Sequence, residues 1–144
     1  MTGKIIRKYT VDKRDQTKLF TFPSRITVNL NSDICVADVL NKDKSSRVVA
    51  VTLDSKIRFT YNGQPGLGQR FYVGDIASDS VGRIILTDFF NSAVHVLSAD
   101  GVYQQLLLTS DDGLSGPLTI TLYTDRLWVG NGRGVIKNYK LNCP

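Results

Sequence analysis

The sequence predicts an all-β chain built from β-propeller blades, about three four-stranded antiparallel sheets in an incomplete or open ring. Three observations predict it. A segment recurs three times at spacings of 50 and 43 residues, measured from Asp38 to Asp88 and from Asp88 to Asn131. Short alternating apolar stretches are separated by polar turns, and no window holds a helical period, with Glu absent altogether. Repeats of about 40 to 50 residues made of short strands are the signature of propeller blades.

Taken in order, Lys4 to Val11 reads as the outermost strand of a blade whose inner strands are missing. Residues 22–63 form a full blade: Ile26 to Asp38 holds an inner strand, the polar turn Asn31-Ser32-Asp33 and a second strand. Arg47 to Leu53 and Lys56 to Tyr61 follow as third and fourth strands, hinged at Asp54-Ser55. Residues 71–109 repeat the plan, with Ile76 on Ile26, Ile84 on Ile34 and Asp88 on Asp38, and the hinge becomes Asp100-Gly101. That dipeptide is a strong hairpin signal because glycine accepts a positive φ. Residues 118–141 supply three strands of another blade, with Leu127 to Asn131 in the slot of Ile34 to Asp38.

Residues 4–11 completing the last blade would make three, and closed propellers typically have about four to eight. Three arrangements stay open at this point: a fragment pairing with missing blades of a larger ring, a homodimer of two copies closing a six-bladed ring, or an open arc with exposed strand edges.

The bulk composition narrows the function classes. Hydrophobic residues at 42% and charged residues at 22% suit one globular domain of 144 residues rather than a disordered chain. No apolar run approaches the roughly 20 residues that span a bilayer, and Met1 to Lys8 has no signal-peptide core, so no membrane association and a cytoplasmic location are expected. Two cysteines, Cys35 and Cys143, with the single His95 cannot supply a closed zinc site, and neither a metal nor another cofactor is expected. Cys35 reads as a buried apolar residue and Cys143 as incidental. The charge is lopsided: residues 1–18 carry +4 of the total +5.

Candidate catalytic groups are few. Asp38, Asp88 and Asn131 end equivalent strands and are expected to accept backbone N–H bonds from their own turns rather than to form an acidic ring. His95 alternates within Ala93 to Leu97 and reads as a structural histidine. No Gly-x-Ser-x-Gly elbow occurs, and Gly63 to Gly68 lacks the strand-to-helix setting of a phosphate loop. Trp128 is expected to pack in the core between blades.

Strand polarity yields the candidate ligand-binding face. Loops joining second to third strands, and fourth strands to the next blade, emerge together and carry Arg25, Lys42, Lys44, Arg47, Arg70 and Arg133 against Asp43, Asp111 and Asp112. The opposite loops carry Lys56, Arg83 and Arg126 against Asp33, Asp54, Asp79, Asp100 and Asp125. The first face also holds Phe71, Tyr72, Phe89 and Phe90, a mixture of cations and aromatics suited to RNA bases or a peptide.

Leu19 to Ile26, Asn31 to Asp38, Asp79 to Asp88 and Leu127 to Asn131 resemble the NHL repeats of tripartite-motif (TRIM) proteins, molluscan TRIM-like chains above all, over nearly the whole chain. The resemblance implies an NHL-type propeller that recognises a protein partner or single-stranded RNA within a ubiquitination pathway. Ubiquitin ligase activity resides in the family's RING, whose Cys/His spacing is missing here, so the expected function is a non-catalytic recognition or scaffold module. The alternatives are part of a six-bladed propeller enzyme of the lyase or hydrolase type, which would need acidic or histidine groups at the channel, or a protein-interaction scaffold with no RNA role.

Overall fold

Eleven strands fall into three antiparallel sheets in the computed structural model, which describes residues 1–142. Blade 1 runs in the order β1 (Pro23–Val28), β2 (Ile34–Val39), β3 (Ser46–Val51) and β4 (Ile57–Tyr61). Blade 2 repeats it with β5 (Val73–Ser78), β6 (Ile84–Asp88), β7 (Ala93–Leu97) and β8 (Tyr103–Leu108). Blade 3 has three strands, β9 (Pro117–Tyr123), β10 (Arg126–Asn131) and β11 (Ile136–Lys140). The all-β propeller architecture holds, and the sheets do not close into a ring.

The middle strands of blade 2 are apolar on both faces because that blade is sandwiched between its neighbours. Alternation along β2 and β6 sends successive side chains to opposite sides. Cys35, Ala37, Val48, Ala50 and Tyr61 of blade 1 pack on Val73, Ile76, Ile84, Leu86 and Leu97 of blade 2. The other face of blade 2, with Ile85, Val94 and Val96, packs on Ile120, Leu127 and Val129 of blade 3. Inner strands are stitched by polar contacts: the Thr27 and Ser78 hydroxyls lie 3.2 Å apart, and Asp75 accepts from the Ile120 amide at 2.9 Å and the Thr119 hydroxyl at 3.1 Å. Gly74 permits this approach, since a Cβ there would lie 2.9 Å from the Leu118 backbone.

Residues 4–11, expected as an outer strand, form no strand; only Val11 bridges Lys18. The reason is a turn over residues 12–15 that folds the segment back. Asp12, buried, accepts from the Arg14 side chain at 2.6 Å and from the Arg14 and Ile57 amides at 2.9 Å each. The segment therefore does not complete blade 3. It lies against blade 1, where Tyr9, Leu19 and Phe20 pack on Val49, Val51 and Ile57. Much of the N-terminal positive charge is spent locally, with Lys13 paired to Asp54 at 3.0 Å and Arg7 5.4 Å over the Tyr9 ring.

Trp128 also departs from expectation. It occupies the position of Cys35 and Ile85, which face the next blade, but among the described residues no blade packs on this face of blade 3 and the indole is 40% exposed. Cys35 is fully buried, and burial pushes its thiol up to about 12. Cys143 lies outside the described residues. Among the described residues, no helix is long and apolar enough to cross a membrane.

Two outcomes follow. In denaturant unfolding of the dilute chain, Leu86→Ala is expected to cost about 2–5 kcal/mol, as for a fully buried leucine, whereas Trp128→Ala costs under about 1 kcal/mol as a partly exposed site. A reversed order would place the indole in the core. The Asp12 carboxyl is held well below the usual carboxylate range, first by the hydrogen bond from the Arg14 side chain and then by the Ile57 and Arg14 amides. Its contribution is therefore complete above the unfolded-state value and lost as pH falls through the lower folded value. The Ile57 amide resonance should hold its native position down to the usual carboxylate range and move only below it, and Asp12→Ala should move it at neutral pH. An unmoved resonance in that variant would show that the carboxylate does not hold the turn.

Candidate functional site

The loops at 40–45, 62–72, 89–92, 109–116 and 132–135 emerge at one end of the blades, the upper face, because antiparallel neighbours alternate direction. The turns at 29–33, 52–56, 79–83, 98–102 and 124–125 emerge at the other end.

Between blades 2 and 3 the upper face holds a recess of about 410 Å³ lined by Phe89, Phe90, Ser115, Gly116, Asn131, Gly132 and Arg133. Its aromatic wall is held edge to face, with the Phe89 and Phe90 centroids 4.9 Å apart at 80° and Tyr72 6.3 Å from Phe89 at 88°. Such pairs fix ring orientation. The Arg70 guanidinium lies 3.8 Å over the Phe90 ring. The opposite wall is set by Asn131, whose side-chain oxygen accepts from the Arg133 amide at 2.9 Å and the Val135 amide at 3.2 Å, closing the turn that carries Arg133. Gly116 has φ 50° and donates its N–H to the Ser92 hydroxyl at 3.1 Å, pinning the floor loop to blade 2.

The ten sequence-nominated residues separate into groups. Arg70, Tyr72, Phe89, Phe90 and Arg133 gather at this recess. Phe71 turns inward to stack 5.5 Å from Tyr61 and 5.4 Å from His95. Arg47 is engaged with buried Asp38 at 3.1 Å and reaches the Leu19 carbonyl. Lys42 and Lys44 are exposed on the β2–β3 loop, and Arg25 stands beside an apolar groove on blade 1, donating to the Ser24 carbonyl at 2.8 Å. Ser115, Gly116 and Gly132 were not anticipated. Their only signal is the glycine-rich run Gly113 to Gly116 and Gly130 to Gly134 between strands.

Charge differs in kind between the two ends. Lower-face cations have local partners: Lys56–Asp54 at 3.4 Å, Arg83–Asp79 at 2.6 Å and Arg126–Asp125 at 3.3 Å. Among the described residues, Arg25, Lys42, Lys44, Arg70 and Arg133 pair with no carboxylate, whereas Arg47 does.

The two repeated acids, Asp38 and Asp88, serve structure in different ways. Asp38 accepts from the Thr21 and Phe22 amides at 2.8 and 2.7 Å, ahead of β1 rather than in its own turn, because Arg47 occupies its other side. Asp88 accepts from the Asn91 side chain at 2.9 Å and from His95 Nε2 at 3.0 Å. His95 Nδ1 faces the Tyr61 hydroxyl at 2.7 Å, and Gln64 donates to that hydroxyl at 3.2 Å. Burial pushes the Tyr61 phenol up to about 12.

No known family model matches the chain, and no curated protein matches its sequence. The TRIM-type NHL assignment therefore has no support beyond the motifs that suggested it. Solved structures do match. A virginiamycin B lyase from Staphylococcus aureus superposes with a TM-score of 0.60 at 22% identity, over 97% of this chain and 46% of that one. A streptogramin B lyase gives 0.55 at 22%, over 85% and 41%. A catalytically inactive virginiamycin B lyase variant from the same organism, with quinupristin, gives 0.57 at 19%, over 88% and 43%. The chain thus spans under half the length of each. The likeness establishes the propeller fold. It also corrects the expectation of a non-catalytic module, which rested on the TRIM resemblance: three of the solved structures this chain is similar to are lyases.

Proposed function

We propose that the chain contributes the ligand-binding face of a larger propeller ring of the lyase or hydrolase type, and that the recess between blades 2 and 3 seats part of the substrate. The observation that carries this reading is the recess itself, with an ordered aromatic wall on one side and Arg133 on the other. Its volume falls within the range of roughly 300–1,000 Å³ usual for small-molecule sites. The chemistry it offers is a flat apolar surface for a ring and a guanidinium for an anionic or carbonyl oxygen. Such a site orients a ligand. The acid–base groups of an assembled ring would come from outside this recess, whose lining holds none. The likeness to lyase propellers supports the enzyme class for the whole ring.

A second reading, recognition of a protein or single-stranded RNA, draws on a separate observation. The unpaired cations Arg25, Lys42, Lys44 and Arg70 extend beyond the recess across the upper face. A track of cations with adjacent rings suits a phosphate backbone with stacked bases.

Phenyl phosphate and a random-sequence single-stranded RNA separate the two. On the first reading phenyl phosphate binds saturably, Arg133→Glu and Phe90→Ala each weaken it at least tenfold, and the lower-face control Lys56→Glu with Arg126→Glu does not. On the second, RNA binds with a log-affinity against log-salt slope of about −0.7 per phosphate contact, and reversing Lys42 and Lys44 lowers that slope. Loss of binding in the lower-face control alone, or equal binding of both probes by every variant, would remove the upper face as the site.

A further inference from the structure

We infer that a second copy of this chain docks head to tail on the first, with Trp128 of each copy seated in an apolar groove on blade 1 of the other. This concerns what completes the ring. It stands apart from the ligand reading, because the recess lies wholly within one chain.

The groove occupies about 550 Å³ on the free side of blade 1 and is walled by Phe20, Ile26, Val28, Ile34, Val36 and Val51. Ile26 is 66% exposed and Val28 57%, although both lie on a sheet face that blade packing elsewhere covers. Three of these residues have equivalents one repeat later. Ile26, Ile34 and Val36 correspond to Ile76, Ile84 and Leu86, the wall of blade 2 that receives Cys35 and Ala37 of blade 1. Blade 1 therefore presents the receiving half of an interface whose geometry the chain builds once already between its own first two blades.

The matching half is at the other end. Trp128 stands in the register position of Cys35 and Ile85, which are buried against the following blade. It pairs across the sheet with Thr121 and Asn138, and Ile136, 73% exposed, extends the same face beside Gly130. An indole is much larger than the cysteine or isoleucine of the inner joints. The blade 1 wall is correspondingly roomier, with Val36 in place of Leu86, and more apolar, with Val28 in place of Ser78, whose hydroxyl at the inner joint bonds the Val28 carbonyl.

The occupant is a second copy because both halves belong to this sequence and because of length. The virginiamycin B lyase match takes 97% of this chain and only 46% of the lyase, so two copies supply nearly the length of one such propeller. A head-to-tail contact between two copies repeats by the two-fold operation, so one operator makes both joints and closes the ring.

The test uses sedimentation over a dilution series together with the emission of Trp128, the chain's single tryptophan. Wild type is expected to form a dimer whose emission shifts to the red as dilution dissociates it. Trp128→Glu blocks the inserting face and Ile26→Glu the receiving face; each alone should be monomeric, with association weakened at least a hundredfold. Mixed in equal amounts, they should form a heterodimer through the one intact joint that remains. Matching far-UV circular dichroism shows that the variants fold, and Trp128→Ala with Val28→Ser serves if either does not. A monomeric wild type at every concentration overturns the proposal, as do assemblies longer than two. Undiminished self-association of either variant would reveal a like-face contact and overturn it equally. Phenyl phosphate binding by the monomeric variants reads the recess separately, so the two proposals can fail independently.

Discussion

A sheet with apolar side chains on both faces is stable only when something covers both. This constraint governs the molecule. Blade 2 meets it completely: Ile84, Leu86 and Leu97 are covered by blade 1, and Ile85, Val94 and Val96 by blade 3. Its two middle strands are accordingly buried at every position. The end blades meet it on one side each. On blade 1 the N-terminal segment covers the outer half of the free face through Tyr9, Leu19 and Phe20 and leaves the inner half as a groove. On blade 3 the free face leaves Trp128 40% and Ile136 73% exposed.

The same constraint explains which parts of the fold were legible in the sequence. Repeat spacing, hinge positions and the pairing of apolar positions are local properties, so the strands and their order could be read directly. Ile26 over Ile76 and Asp38 over Asp88 are true structural equivalents. Whether a given face has a neighbour is not local. Trp128 was placed in the correct slot of its blade, yet its burial depends on a neighbour for that face, and no blade packs there among the described residues. Residues 4–11 failed for a related reason. An alternating basic segment satisfies the pattern of an edge strand, but the Asp12 carboxylate gathers two amides and a guanidinium and turns the chain before it can pair.

Site residues were legible only as far as strand polarity reaches. It sorts residues by end of the blade, not by the direction a side chain takes. Phe71 and Tyr72 are adjacent, and alternation sends them to different places: Phe71 against His95 in the blade 1–blade 2 core, Tyr72 onto the Phe89–Phe90 pair. Arg47 lay on the right end and was lost to Asp38, a partner nine residues earlier across the β2–β3 ladder. The turn residues of the recess carry no side-chain chemistry that a sequence could flag, since Gly116 and Gly132 contribute by being small.

Acid–base chemistry and ligand access are separated in this chain. The Gln64–Tyr61–His95–Asp88 series is the one place where a histidine, a carboxylate and a phenol form a continuous hydrogen-bonded path. It lies between blades 1 and 2 with His95 and Asp88 fully buried, where such a network fixes the packing of two sheets. The recess lies one joint further on, between blades 2 and 3, and is open, with no acid–base side chain in its lining. Equivalent joints in a repeat protein thus diverge by a few residues: Tyr61 and His95 fill the upper part of the first joint, whereas the second leaves the same level hollow. On the proposed reading, a propeller that performs chemistry with these blades brings its proton-transfer groups to the recess from another part of the ring, and Phe89, Phe90 and Arg133 orient the ligand there.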